Sequence, residues 1–99
     1  MSKGSGGGSD GGRTSYKTGE WVNYSNGRER VGIIIGKPIS VNGETVHPFS
    51  YSARQGSRSH WSDSGNFNPK TGISRDKLGR QLSLGDQSRV ERGFETAKK

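Results

Sequence analysis

Apolar and polar positions alternate most clearly in residues 18–52, "TGEWVNYSNGRERVGIIIGKPISVNGETVHPFSYS". Two dipeptides, Asn26-Gly27 and Asn42-Gly43, interrupt this alternation, and Asn-Gly between β-forming residues is the strongest short-range signal for a hairpin. The run Ile33–Ile35 is typical of a strand buried on both faces. The pattern therefore predicts a core of roughly four or five short antiparallel strands, a number that can be stable where an isolated hairpin is not.

Each Asn-Gly dipeptide is interpreted as a two-residue hairpin turn. The first turn then pairs Tyr24 with Glu29, and the second pairs Val41 with Glu44. Trp21, Tyr24 and Tyr51 are expected to pack in the core, because a chain with few apolar residues needs its aromatic rings there.

Strands joined in sequence order by tight turns form a meander. The expected fold class is mainly β, either a small antiparallel meander or an SH3-like barrel, with residues 18–52 as its β-hairpin core. Residues 1–17 begin with a Gly/Ser-rich stretch that cannot bury apolar area. They are predicted to form a flexible, disordered tail.

Residues 53–99 are predicted to be a basic, loop-rich and weakly helical extension that packs on or near the core. Gly, Ser and Asn dominate residues 53–72, which are therefore expected to form a long loop.

Farther along the chain, Leu78 and Leu82 are four residues apart, as are Val90 and Phe94. This spacing predicts two short amphipathic helical turns, interrupted at Gly85. An extended conformation around the leucine pair is the alternative.

The composition limits how much of the chain can form a core. The chain has 99 residues, of which 24% are hydrophobic, and it has no cysteine. It is therefore expected to form one domain at most, without disulfides or thiolate metal sites. A domain this small is marginal alone, so a bound partner or an assembly is a reasonable means of stabilising it.

The cellular location is inferred from the absence of two signals. No window is apolar enough for a membrane span, and the N-terminus has no apolar region of a secretory signal. The expected localisation is the cytoplasm or a nucleoprotein assembly, with no membrane partner.

The net charge of +7 favours a polyanionic partner, because basic charge supplies sequence-independent affinity for nucleic acid. Residues 53–99 contain ten basic and five acidic residues, whereas residues 18–52 are neutral. The excess thus lies outside the predicted core. The alternative is a soluble basic protein with no nucleic-acid role.

A mixture of cations and aromatic rings favours single-stranded nucleic acid, because guanidinium groups pair with phosphate and bases stack on rings. Trp61 lies in a polar segment with few packing partners, so it is the ring singled out. The candidate nucleic-acid-binding residues are Arg54, Arg58, Trp61, Lys70, Arg75, Lys77 and Arg80.

A second set of residues has the chemistry of a metal-independent ribonuclease, which needs a base, an acid and a cation for the phosphate. His60 with Asp63 and Arg58, or His47 with Glu44, supplies these groups. The structural alternatives are a solvated loop histidine for His60 and a partly buried one for His47. Two histidines without cysteine do not provide a zinc ligand set, so no metal or other cofactor is expected.

The stretch "GNFNPKTG", residues 65–72, resembles the short Gly-aromatic-x-Pro-Lys-Thr-Gly turn near the end of colicin-type ribosome-cleaving nuclease domains. The resemblance covers eight residues. The dense acid and histidine arrangement of those toxins is absent around it, so no catalytic role is carried over.

The sequence as a whole favours a small non-enzymatic protein that binds nucleic acid, RNA or single strands in particular, alone or within an assembly. One alternative is a protein-binding adaptor or inhibitor of an acidic partner that uses a sheet edge or the long loop. The other is a small ribonuclease that uses His60 or His47.

Overall fold

The computed structural model describes residues 15–57 and 59–99. Its elements in chain order are β1 (Trp21–Asn26), β2 (Glu29–Ile35), β3 (Ile39–Val41), β4 (Glu44–Gln55), β5 (Ser59–Asn68), β6 (Ile73–Asp76) and α1 (Leu84–Thr96). The strands form one antiparallel sheet in the order β1-β2-β4-β5-β6, with β3 paired to the start of β4. The prediction of a mainly β fold is confirmed. The sheet does not close, however, so the SH3-like barrel is not confirmed.

Both predicted hairpins are present, but only the second has the predicted register. Asn42 and Gly43 have φ values of 51° and 80°, and Val41 pairs with Glu44 as predicted. In the first hairpin the turn residues are Gly27 and Arg28, so Tyr24 pairs with Val31 and the predicted register is wrong by two residues. A shift of two leaves every side chain on its predicted face.

The interval expected to be a long loop is largely strand, which corrects the prediction for residues 53–72. β4 continues to Gln55, and β5 pairs with β4 from Gln55–Ser59 to His47–Phe67. Serine and asparagine have low strand propensity, but the extended pairing with β4 overrides this preference. A turn at residues 69–72 then leads into β6.

Helix α1 packs against one face of the sheet and encloses the core. Ser83 caps the helix, accepting a hydrogen bond from the Asp86 backbone N–H at 3.3 Å. Val90 and Phe94 are buried against the sheet, as the four-residue spacing predicted. A Cβ at Gly93 would lie 2.8 Å from the Ile33 Cγ2 atom, so glycine allows the helix to approach the sheet closely.

The leucine pair, by contrast, is not helical, so the first of the two predicted helical turns is wrong. Leu78 lies in a turn after β6, and Leu82 precedes the helix. The Asp76 carboxylate accepts hydrogen bonds from the backbone N–H groups of Leu78 and Arg80 at 2.8 and 2.9 Å. This local side-chain bonding favours a turn over a helix.

The N-terminal segment joins the fold earlier than expected. Tyr16 is buried, and the backbone N–H of Lys17 donates to the Ala97 carbonyl at 2.9 Å. The Tyr16 ring packs edge-on against Phe94 at 5.1 Å between centroids. Its aromatic area stabilises this attachment, so residues 15–17 are not tail. The rest of the predicted tail, residues 1–14, lies outside the described residues.

Candidate nucleic-acid interface

The sheet has two faces with different chemistry, because successive side chains of a strand point to opposite sides. Helix α1 covers the face that carries Val31, Ile33 and Ile35, which we call the helix face. We call the opposite side the open face. The register of the strands places these residues on it: Trp21, Asn23, Ser25, Arg30, Gly32, Ile34, Pro48, Ser50, Ser52, Arg54, His60, Ser62, Ser64, Asn66 and Arg75.

One end of the open face is basic. Arg30 of β2 pairs with Arg54 of β4, which in turn pairs with His60 of β5, so the three residues form a row across the sheet. The His60 Nε2 atom lies 2.9 Å from the Ser52 Oγ atom, within hydrogen-bond distance. No ion pair joins Arg30 or Arg54 to a carboxylate of residues 15–57 and 59–99. Like charges directly opposite each other destabilise a sheet, and a bound anion would remove this cost.

The middle of the open face is a shallow depression with polar walls and two apolar borders. Its lining includes four serines, Ser50, Ser52, Ser62 and Ser64, together with Asp63, Asp76 and Lys77. Trp21 and Leu78, which are 54% and 74% exposed, stand at its borders. The Trp21 ring lies 3.5 Å from the position that a Cβ atom on Gly32 would take. Glycine therefore lets the indole lie over β2, where a nucleobase can stack on it.

The other end of the open face leads into a cleft of about 410 Å³. Its lining includes the cations Arg75 and Lys77 and the carboxylates Glu44 and Asp76. Buried Asn68 donates a hydrogen bond from Nδ2 to the Glu44 Oε1 atom at 3.2 Å. The Asn68 Oδ1 atom accepts from the backbone N–H of Lys70 at 2.8 Å, which fixes the amide at the turn that follows β5.

Charged and phenolic groups on the helix face are paired with one another. Arg89 of α1 lies 2.9 Å from a Glu29 oxygen and 2.6 Å from an Asp86 oxygen. The Tyr51 hydroxyl donates to Asp86 at 2.6 Å, and the Tyr24 hydroxyl donates to the Arg89 backbone carbonyl at 2.7 Å. These groups attach the helix to the sheet.

The same contacts shift the pKa values of the groups involved. Burial, with the nearby Glu29 carboxylate, raises the pKa of Tyr24 to about 12. Burial alone would raise the pKa of Asp86, but hydrogen bonds from Tyr51 and Ser83 and the charge of Arg89 outweigh it and lower that pKa. Asp86 therefore remains a carboxylate and Tyr24 a neutral phenol at pH 7, as their contacts require.

Three of the residues predicted to bind nucleic acid lie on or beside the open face. Arg54 and Arg75 lie at its two ends, and Lys77 lines the cleft and the neighbouring depressions on the side of Arg75. Lys70 lies in the turn after β5, and Arg80 lies in the turn after β6 with its Nε atom 3.9 Å from Asp76. Arg58 lies outside the described residues.

The two tryptophans lie on opposite faces of the sheet, and both are exposed. Trp61 pairs with Ala53, which puts its ring on the helix face, where the Arg89 guanidinium lies 4.7 Å from the ring centroid. Trp21, expected in the core, is on the open face. The expectation for Trp21 is wrong because it was based on the small number of apolar residues and not on strand alternation. The role of Trp61 in binding stays a prediction.

Sequence reasoning also missed Arg30, because the segment that contains it is neutral in total. Arg30 and Glu29 are adjacent, yet they point to opposite faces, and Glu29 pairs with Arg89 on the helix side. The alternation of Arg30 with buried Val31 and Ile33 was the available signal. Summing charge over each face, and not along the chain, would have found it.

The residues considered for acid–base chemistry do not form one site. His60 is on the open face, whereas Asp63 pairs with Tyr51 on the helix face and accepts a hydrogen bond from the Ser64 backbone at 2.8 Å. His47 is buried, with its Nδ1 atom 2.9 Å from the Gly36 carbonyl oxygen. Glu44 is three residues from His47 on the same strand, so the two side chains point to opposite faces.

Three further observations concern metals, membranes and known proteins. Within residues 15–57 and 59–99, no group of three His, Cys, Asp or Glu side chains is arranged to hold a metal ion. No helix in this same part of the chain is both long and apolar enough to cross a membrane. Comparisons of the chain with protein-family models, curated proteins and solved structures found no match.

Proposed function

We propose that this protein binds single-stranded nucleic acid, RNA in particular, along the open face of its sheet and without catalysing a reaction. The observation that carries the proposal is the pair Arg30 and Arg54, directly opposite each other and without a carboxylate partner in the described chain. Two phosphate groups, or one phosphate between them, would neutralise this row. His60 extends the row with a further hydrogen-bonding group.

The middle of the open face supports a single strand over a duplex. The exposed Trp21 ring offers a stacking surface to an unpaired base, whereas the bases of a duplex are stacked on each other. The serine hydroxyls between Trp21 and Lys77 can both donate and accept, which suits the ribose 2′-hydroxyl. This last feature favours RNA over single-stranded DNA.

The length of the open face also fits an oligonucleotide. The strand β4 places Pro48 and Arg54 on this face six residues apart, which corresponds to about 20 Å at about 3.3 Å per residue. Arg75 and Lys77 provide cationic groups near the Pro48 end. A strand of nucleic acid would thus have its phosphates bound at both ends and its bases near Trp21 in the middle.

The experiment that tests this proposal measures anisotropy of a labelled U-rich RNA octamer at increasing salt. The variant Arg30→Gln with Arg54→Gln is compared with Arg92→Gln with Lys99→Gln, which removes the same charge from helix α1 and the C-terminus. Each phosphate contact to a single strand contributes about 0.7 to the slope of log affinity against log salt. We expect the open-face variant to lower the slope by about 1.4 and the control to leave it nearly unchanged. Equal effects of the two variants would contradict the proposal.

A protein partner is the second candidate, because β1 forms an edge of the sheet. This strand, Trp21–Asn26, pairs only with β2 in the described chain and contains no charged residue and no proline. Such an edge can accept a strand from a partner. A partner that co-purifies in stoichiometric amount after nuclease treatment, equally with wild type and with the Arg30/Arg54 variant, would favour this function. Loss of the partner after nuclease treatment, or in the Arg30/Arg54 variant, would favour nucleic acid.

A further inference from the structure

The cleft at the end of the open face holds charges of both signs. Two carboxylates line it, Asp76 and Glu44. Asp76 accepts hydrogen bonds from the backbone N–H groups of Leu78 and Arg80, whereas Glu44 is the one carboxylate that strand alternation places on the open side within the described strands. It shares the cleft with Arg75 and Lys77, yet no N–O distance of 4.0 Å or less joins it to either cation. Arg75 donates one hydrogen bond from its guanidinium to the Gly79 carbonyl at 3.1 Å. Glu44, Lys77 and the remaining Arg75 nitrogen atoms are thus available to a ligand that carries hydrogen-bond donors and an anionic group.

The carboxylate is held in position and the cleft around it is partly apolar. Asn68 is buried and donates to Glu44 Oε1 at 3.2 Å, while the backbone of the following turn holds the amide itself. Val41, Val46 and Ile73 line the same cleft. A volume of about 410 Å³ lies within the range of small-molecule sites, about 300–1,000 Å³. A flat ring can pack between the aliphatic walls with its polar edge toward Glu44.

From this arrangement we infer that the cleft binds a guanine base of the nucleic acid, with its phosphate near Arg75 and Lys77. The Watson–Crick edge of guanine presents two adjacent donors, N1–H and the N2 amino group, and a carboxylate can accept from both. Adenine, cytosine and uracil each place an acceptor beside their donor, which a carboxylate repels. Base edges of single strands are recognised by hydrogen bonds of this kind.

The cleft is continuous with the rest of the open face, so this inference rests on the proposed function and adds base preference to it. Asn66 and Lys77 line both the cleft and the adjoining depression, which reaches Ser50 and Ser64. Ser50 and Ser64 in turn line the depression beside Trp21. A strand bound on the basic row and Trp21 can therefore place a later base in the cleft.

The test compares four RNA octamers, with fluorescence anisotropy as the readout. One is all uridine, and the others have a single guanosine, adenosine or cytidine at the same position. Wild type should bind the guanosine octamer about tenfold more tightly than the other three, since a bidentate contact provides about that discrimination. Glu44→Gln should abolish this preference while keeping, or slightly raising, the affinity for all-uridine RNA, because it removes a negative charge. Arg30→Gln with Arg54→Gln should lower every affinity and leave the ratio unchanged.

The outcomes separate the two proposals. Binding of all four octamers with equal affinity would overturn the guanine site and leave the proposed function in place. No binding of any octamer would overturn the proposed function and, with it, base recognition from a bound strand. A cleft that instead binds a short arginine-containing peptide in a Glu44-dependent manner would assign the carboxylate to a protein partner and overturn the inference. Circular dichroism of Glu44→Gln, expected to match wild type because the side chain is exposed, controls for folding.

Discussion

Arginine side chains lie on both faces of this sheet, but the surroundings of those side chains differ. On the helix face, Arg89 binds two carboxylates and lies over an aromatic ring. On the open face, Arg30 and Arg54 lie beside each other, and no carboxylate of the described residues pairs with them. On the helix face the arginine is paired within the described chain, whereas this pair on the open face is exposed to solvent and can contact a ligand. Substitutions on the helix face should therefore change the free energy of unfolding, and substitutions on the open face should change binding.

Adjacent isoleucines of β2 test this separation with the largest expected effect on stability. Ile33 is fully buried beneath the helix, and Ile34 is on the open face, only partly covered. Ile33→Ala should lower the free energy of unfolding by about 2–5 kcal/mol, because it removes buried methyl groups and leaves a cavity. Ile34→Ala should cost less than half as much. Urea denaturation monitored by circular dichroism measures both.

A loss at the upper end of that range can unfold a chain this small, so Ile33→Val provides a milder comparison. It should lower the free energy of unfolding by about 0.5–1.5 kcal/mol, whereas Ile34→Val should have almost no effect. Equal losses at the two positions would show that the open face is itself covered, by residues outside the described part of the chain or by a second molecule.

The sequence predicted the parts of the fold that depend on local signals. Asn42-Gly43 specifies its own turn because both residues adopt positive φ, and Val90 with Phe94 indicates a helix by spacing alone. β5 could not be found this way. Its side chains in the middle of the strand are mostly serine, histidine and aspartate, and it becomes a strand because β4 offers a long partner. The signal for β5 is tertiary pairing, which no single window of sequence contains.

The candidate site was predictable only as a set of residue types. Arg54, Arg75 and Lys77 were identified by charge, but the face on which each lies depends on strand register. Trp61 could not be assigned to a face because its segment was expected to be a loop. Trp21 was expected in the core because apolar residues are few, although alternation with Val22 already places its ring on the opposite face.

A pair of arginines gives the next largest effect. Arg89→Met leaves Glu29 and Asp86, both largely shielded from solvent, without their cation, so the free energy of unfolding should fall by about 2–3 kcal/mol. Arg54→Met should change it by less than about 0.5 kcal/mol, since it breaks no pair and relieves repulsion from Arg30. The effects on affinity for the RNA octamer should be the reverse. Arg54→Met should bind the octamer more weakly, and folded Arg89→Met should bind it with unchanged affinity. Urea titration and anisotropy on the same samples give both values.

The smallest expected effect is a change in tryptophan fluorescence, which reports on the immediate surroundings of each indole ring. In Trp61→Phe, Trp21 is the remaining indole, and RNA stacked on the open face should quench its emission. In Trp21→Phe, Trp61 remains on the helix face beside Arg89, and its emission should not respond to RNA, although the substituted phenyl ring still permits binding. Quenching of Trp61 in the second variant would place the nucleic acid near the helix and contradict the assignment of the faces. Quenching of Trp21 alone would locate the bound base on the open face, at the indole that lies over Gly32.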